Sequence, residues 1–171
     1  MEGSRPLLVE VQALVSPSEL VPPRRVANGI DRNRLALVLA VLGRHAGVGV
    51  GSADVFVNVA GGVRIDEPGA DLAVALAIAS AARGAPVQDG IASFGELGLT
   101  GRLRAAAQAE RRLEECAKLA VALALAPEGT SARIRGPRLV TAATLRDALR
   151  AGLTAVPKRR DDDGEADAKA A

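Results

Sequence analysis

Few residues in this sequence offer chemistry. His45 is the single histidine and Cys116 the single cysteine. A histidine-based triad would therefore rest on one residue, and neither an internal disulfide nor a multi-cysteine metal site can form. Asp66, Glu67 and Asp71 crowd one turn. Three acids on one turn with no further ligand source are a weak signal for a metal site, and Asp71 equally suits the start of a helix, so no metal site is expected. No G-x-x-x-x-G-K-[ST] occurs, and no G-x-G-x-x-G precedes a helix. The glycine-rich run 47–56 leads into a strand, so no helix N-terminus waits there for a phosphate.

Arginine is what the chain has in quantity. Of 22 basic residues only Lys118, Lys158 and Lys169 are lysines. A guanidinium fits planar, bidentate partners such as phosphate and carboxylate, although a G+C-rich genome would also enrich Arg, Ala and Gly. Between residues 20 and 50, Arg24, Arg25, Arg32, Arg34 and Arg44 face one acid, Asp31, a local +4 in a chain of net +2. Backbone phosphates would suit this set. So would ion pairs on the surface or between subunits, and the two readings stay open on residue type alone. Cations in a first helical turn oppose the helix dipole, so something other than helix stability holds Arg32 and Arg34 there. His45, near a helix end, suits the dipole, and Cys116 reads as a small core residue.

The elements that must position these residues follow from pattern. The 171 residues suit one domain and are 49% hydrophobic, yet Phe56 and Phe94 are the only aromatics, so ligands that need aromatic stacking are poorly served. No apolar run reaches the ~20 residues of a membrane span, and no signal-peptide pattern opens the chain; a cytoplasmic place is expected. A strand is expected over 7–15, a Pro-rich loop over 16–25, and a helix over 31–46 capped by Asp31 and closed by Gly47. A strand over 54–60 leads to the Gly61–Gly62 turn, and an Ala-rich helix over 70–83 ends at Gly84 and Pro86. A strand over 91–99, an amphipathic helix over 106–119 and a strand over 121–127 follow. Residues 138–152 read as a strand running into a helix capped by Thr144 or Thr141. From Pro157 the charged run has no core formers and reads as disordered.

The segment DEPGADLAVALAIA (66–79), followed by ELGLTGRL (96–103), resembles the Lon protease domain. In that family a D-G-P-S-A-G turn holds the nucleophilic serine at a helix start. A second region, E-I-x-x-x-G-x-V and then G-G-x-K-E-K, ends on the lysine base. Asp66, Pro68, Ala70, Glu96 and Gly101 match as they stand. The nucleophile position falls on Gly69, the base position on Arg112 and the earlier lysine on Glu110. Glycine has no side chain and arginine stays protonated, so the expectation is a degenerate dyad with no catalytic residue.

Four segments in order, VEVQALV (9–15), RRVANGIDRNRLALVLAVL (24–42), VFVNVAGGVRIDEPGADLAVALAIAS (55–80) and FGELGLTGRLRA (94–105), resemble the C-terminal Lon-like domain of the RadA/Sms recombination and repair ATPases. The resemblance covers roughly residues 5–152. It implies an α/β (α+β) two-layer sandwich, similar to the second domain of a small-subunit ribosomal protein, with a leader at 1–6, the Lon-like domain at 7–153 and a disordered charged tail at 154–171. It also implies a zinc finger and an ATPase ahead of this segment. ATP, magnesium and zinc are expected there, no cofactor in this chain, and the chain would be a fragment that is not an enzyme. Implied partners are DNA, single-stranded or branched, at Arg24, Arg25, Arg32, Arg34 and Arg44; further copies of itself in a hexameric ring; and a recombinase or helicase. No membrane partner is implied. The full protein would promote branch migration. A Lon-family Ser–Lys peptidase is disfavoured by Gly69 and Arg112. A protein-interaction module would differ in lacking salt-sensitive DNA binding.

Overall fold

The computed structural model describes residues 6–131 and 135–155. The leader expected at 1–6 (Pro6 apart) and the tail expected at 154–171 (Thr154 and Ala155 apart) lie outside the described residues.

The β-branched alternation of the first half builds a three-stranded sheet. Strand β1 (Val11–Pro17) runs antiparallel to β3 (Ala53–Val59), and β2 (Arg25–Asn28) lies parallel to β3 on its other side. Side chains alternate across the pleat. Val55, Val57 and Val59 are buried on one face. On the other, Leu14 and Val26 both sit opposite Phe56 and remain exposed. Beside that row the Asn28 amide donates to Asn58 Oδ1 at 2.6 Å, and Asn58 donates to Gln12 Oε1 at 3.2 Å. Strand β2 begins where the Pro-rich loop expected over 16–25 ends, in residues the sequence assigns to no element, and its order comes from pairing with β3.

The second sheet is parallel, in the order β4 (Ile91–Ser93), β7 (Leu123–Pro127), β8 (Arg138–Ala142). All five residues of β7 are buried, as expected of a central parallel strand. Leu125 points into the main core, while Ala124 and Ala126 join a second cluster with Phe94 and Leu113. Strand β7 thus contributes to both hydrophobic clusters. A short hairpin, β5 (Glu96–Leu97) and β6 (Leu103–Arg104), completes the strands. The single strand expected over 91–99 is thus two. It breaks at Gly95, whose N–H donates to Gly69 O at 2.8 Å and whose carbonyl accepts from Leu72 N at 3.2 Å.

Four helices fill the space: α1 (Arg32–Ala46), α2 (Asp71–Arg83), α3 (Ala109–Lys118) and α4 (Leu145–Gly152). Asp31 Oδ1 accepts from Arg34 N at 2.9 Å as the N-cap of α1, and Gly47, at φ +64°, closes it by donating to Leu42 O. Thr144 is the cap of α4, accepting from Asp147 N at 3.2 Å. Helix α3 begins later than 106 because Gln108 sits at φ +55°. Leu35, Val38, Leu42, Leu72, Ile78, Leu145 and Leu149 form the centre of the main core, each adding about 1.5–3 kcal/mol by leaving water. The fold is a mixed α/β structure. Among the described residues no helix is long and apolar enough to cross a membrane.

Candidate functional site

Two places gather the residues singled out by type. The first is the turn that feeds α2. Pro68–Ala70 form one 3₁₀ turn, with Pro68 suited to a first helical position. Gly69 is buried there, and the structure brings it together with Arg112 of α3. A Cβ built on Gly69 would meet Glu67 Oε1 at 2.9 Å, Ala106 Cβ at 3.1 Å and Arg112 Nη2 at 3.4 Å. Arg112 Nη2 forms an ion pair with Glu67 Oε1, its Nε donates to Ala107 O at 2.9 Å, and its Cζ lies 5.8 Å from the Phe94 ring centroid. A side chain only 18% exposed is held from three sides.

This corner opens into a cleft of about 740 Å³ whose apolar walls include Leu7, Val11, Ile65 and Phe94. Cys116 borders it but is buried. Burial, and then the neighbouring Glu115 charge, push its thiol above the ordinary value, which disfavours the reactive thiolate. The three acids of the turn go to three different cations. Asp66 pairs with Arg64 at 2.9 Å and Glu67 with Arg112. Asp71, 2% exposed, receives both arms of the Arg34 guanidinium, Nε at 2.6 Å, and also accepts from Leu97 N at 2.9 Å. One carboxylate thereby ties α1 and the β5 hairpin to the first residue of α2, and it holds the Arg34 guanidinium above its ordinary value.

The second place is the arginine set, which divides by environment. Arg24 makes a fork to Asp54, Nε and Nη2 both at 2.8 Å from Oδ2, while its backbone N–H donates to Oδ1 at 2.7 Å. Asp54 is buried, yet hydrogen bonds from the Ser18 hydroxyl and the Arg24 backbone hold its carboxyl below the ordinary range. The Arg24 side chain is 60% exposed and lies 5.7 Å from the Phe56 ring centroid. Arg25 turns inward: its guanidinium donates to the carbonyls of Arg24, Val50, Gly51 and Ala53, those to Arg24 and Val50 at 2.9 and 2.8 Å. Arg34 is bound to Asp71. Arg32 and Arg44 are exposed on α1, twelve positions apart and so about 18 Å along the axis. Of the five, Arg25 and Arg34 are turned to internal partners, and Arg32 and Arg44 stand at opposite ends of α1.

Reasoning from sequence missed Asp54 and two further arginines, Arg102 and Arg146. The signal for Asp54 was an acid inside an otherwise apolar strand, DVFVNVA. For the arginines no local pattern marks them.

Residues 30–130 match the family model described as subunit ChlI of Mg-chelatase. The chain belongs to the ChlI family. It is also similar to proteins named DNA repair protein RadA. It is 47% identical to that of Haemophilus influenzae over 150 residues, 86% of this chain and 33% of that protein. Against the Bacillus subtilis protein it is 41% identical over 156 residues, 90% of this chain and 34% of that one. Against the Escherichia coli protein it is 49% identical over 126 residues, 74% and 27%. The chain spans about a third of the length of these relatives. Membership of the ChlI family corrects one expectation, that this chain is not an enzyme. The match to a family described by an enzyme's subunit, over a segment that includes Gly69 and Arg112, overturns it. The physical reason is that a missing P-loop and a missing Ser–Lys pair speak only against the reactions that need those arrangements.

Proposed function

We propose that this chain is the Lon-like domain of a RadA-type DNA repair and recombination protein, acting in the bacterial cytoplasm, and that it serves ring assembly and contact with the DNA backbone. The observation that carries the reading is identity of 41–49% to proteins named DNA repair protein RadA, sustained over 74–90% of this chain. Two features of the molecule support it. The Gly69 and Arg112 positions that align with a Lon dyad lie against each other at the mouth of a cleft. Exposed guanidiniums at Arg32 and Arg44 offer cations of the kind that phosphates take. Branch migration is the activity proposed for the longer protein.

The test is binding of this chain to a fluorescent single-stranded oligonucleotide at low and moderate salt, with the mass of the protein measured in the same buffers. Binding that weakens steeply with salt, by an oligomer, is the expected result, because each phosphate contact releases counterions. Salt-independent binding or none, by a monomer, overturns the reading.

A further inference from the structure

Several exposed arginines have no carboxylate partner among the described residues, Arg32, Arg83, Arg111, Arg135 and Arg138 among them, but one group of three is brought together by the fold. The C-terminal end of α1, the β5–β6 hairpin and the start of α4 lock together around His45. Its Nε2 donates to Leu99 O at 2.9 Å. Gly101, at φ +77°, packs so closely that a Cβ there would stand 2.7 Å from His45 Cβ. Leu145 N donates to Gly101 O at 2.8 Å, Leu103 N donates to Ala143 O at 2.9 Å, and Arg102 bridges to Thr144. Arg146 Nη2 donates to the His45 carbonyl at 3.1 Å. Three elements are thus fixed against one another, and each brings an arginine: Arg44, Arg102 and Arg146.

All three are exposed, and none has a carboxylate partner among the described residues. Arg146 spends one of five N–H donors on the His45 carbonyl. The acids nearby are engaged: Asp147 accepts from the Thr144 hydroxyl at 2.6 Å and lies 4.0 Å from Arg150, and Glu96 lies 3.9 Å from Arg104. Arg24, Arg25 and Arg34, by contrast, carry their forks to buried acids or carbonyls. The helix dipole accounts for Arg44, in the last turn of α1, but disfavours a cation in the first turn of α4, where Arg146 sits. Free donors on a rigid base, with no aromatic among them, suit a backbone phosphate better than a base.

We propose that Arg44, Arg102 and Arg146 form the surface that takes the phosphates of single-stranded DNA. This rests on the reading of the chain as a DNA-contacting domain. The test compares the chain, the R44A/R102A/R146A variant and the R44K/R102K/R146K variant by fluorescence anisotropy on one oligonucleotide across a salt series, with a thermal melt of each. The alanine variant is expected to bind about tenfold more weakly or worse, and its log–log salt slope to be shallower by about 2, near 0.7 for each lost phosphate contact. The lysine variant keeps the slope, since a phosphate needs a cation and not a particular one. Should the triple alanine variant fold poorly, R102A alone, whose side chain has no bonded partner among the described residues, is expected to lower the slope by about 0.7. An unchanged slope in a chain that still binds overturns this surface and leaves the DNA reading standing. Absence of salt-dependent binding in the unaltered chain overturns both.

Discussion

Arg112 Nη2 stands 3.4 Å from the point that a Cβ on Gly69 would occupy, and Glu67 Oε1 stands 2.9 Å from it. The Glu67–Arg112 ion pair therefore fills the space a side chain at residue 69 would need. G69A is expected to cost about 1 kcal/mol, since the Glu67 carboxylate can shift but Ala106 Cβ, at 3.1 Å, is less free. In an E67A background the nearer obstacle is gone, so the same substitution costs less there. Urea denaturation of the four chains in the cycle checks this; additivity within about 0.3 kcal/mol would mean that the pair does not crowd the site.

Asp71 has three jobs at once, and its variants separate them. D71A strands the Arg34 guanidinium and the Leu97 N–H, and about 3 kcal/mol of stability is expected to go. D71N keeps an acceptor for Leu97 N and is expected to lose less. R34A added to D71A costs little more, because the two residues act as a unit. Denaturant midpoints at constant slope give the comparison; a D71N loss equal to that of D71A contradicts the assignment.

The pH dependence follows from Asp54. Its carboxyl is held below the ordinary range, first by the Ser18 hydroxyl and next by the Arg24 backbone N–H. A folded-state value below the unfolded one gives a contribution that is present above about pH 4 and is lost as pH falls through the folded value. The melting temperature of the chain is expected to drop on acidification below about pH 4, and that of D54N to drop less over the same range. Parallel curves would show that Asp54 is not the group responsible.

The arginines are expected to sort by what they touch. R25A removes donors to the carbonyls of Val50, Gly51 and Ala53 and should lower stability, by about 1–3 kcal/mol, through the acceptors left behind. R32A, with an exposed side chain, should leave the melt within about 0.5 kcal/mol of the parent. A melt that ranks them the other way refutes the division drawn from their partners.

How far the sequence could be read shows in these same residues. The main helices are legible because their apolar spacing and end residues, Asp31 with Gly47 and Thr144 at the last, agree locally. Strand β2 is not, because four residues after two prolines gain order only from β3, 30 positions on. The break at Gly95 depends on bonds to Gly69 and Leu72, which no window around residue 95 contains. The arginines teach the same lesson. Arg24 and Arg34 look alike in the sequence as phosphate ligands, but Asp54 and Asp71 engage them from 30 and 37 positions away. Arg102 and Arg146 are brought near each other by backbone bonds between residues 101–103 and 143–145, so their grouping has no local signature. Motif spacing alone pairs Gly69 with Arg112, and a Cβ on Gly69 would stand 3.4 Å from Arg112 Nη2.

The single thiol of the chain lies buried behind the Arg112 corner. A maleimide dye should find nothing to attack while the structure is closed and one site whenever it opens. Cys116 is therefore a built-in clock: the rate of its labelling times the opening of the α3 edge, with no probe to be introduced and no second thiol to confuse the count.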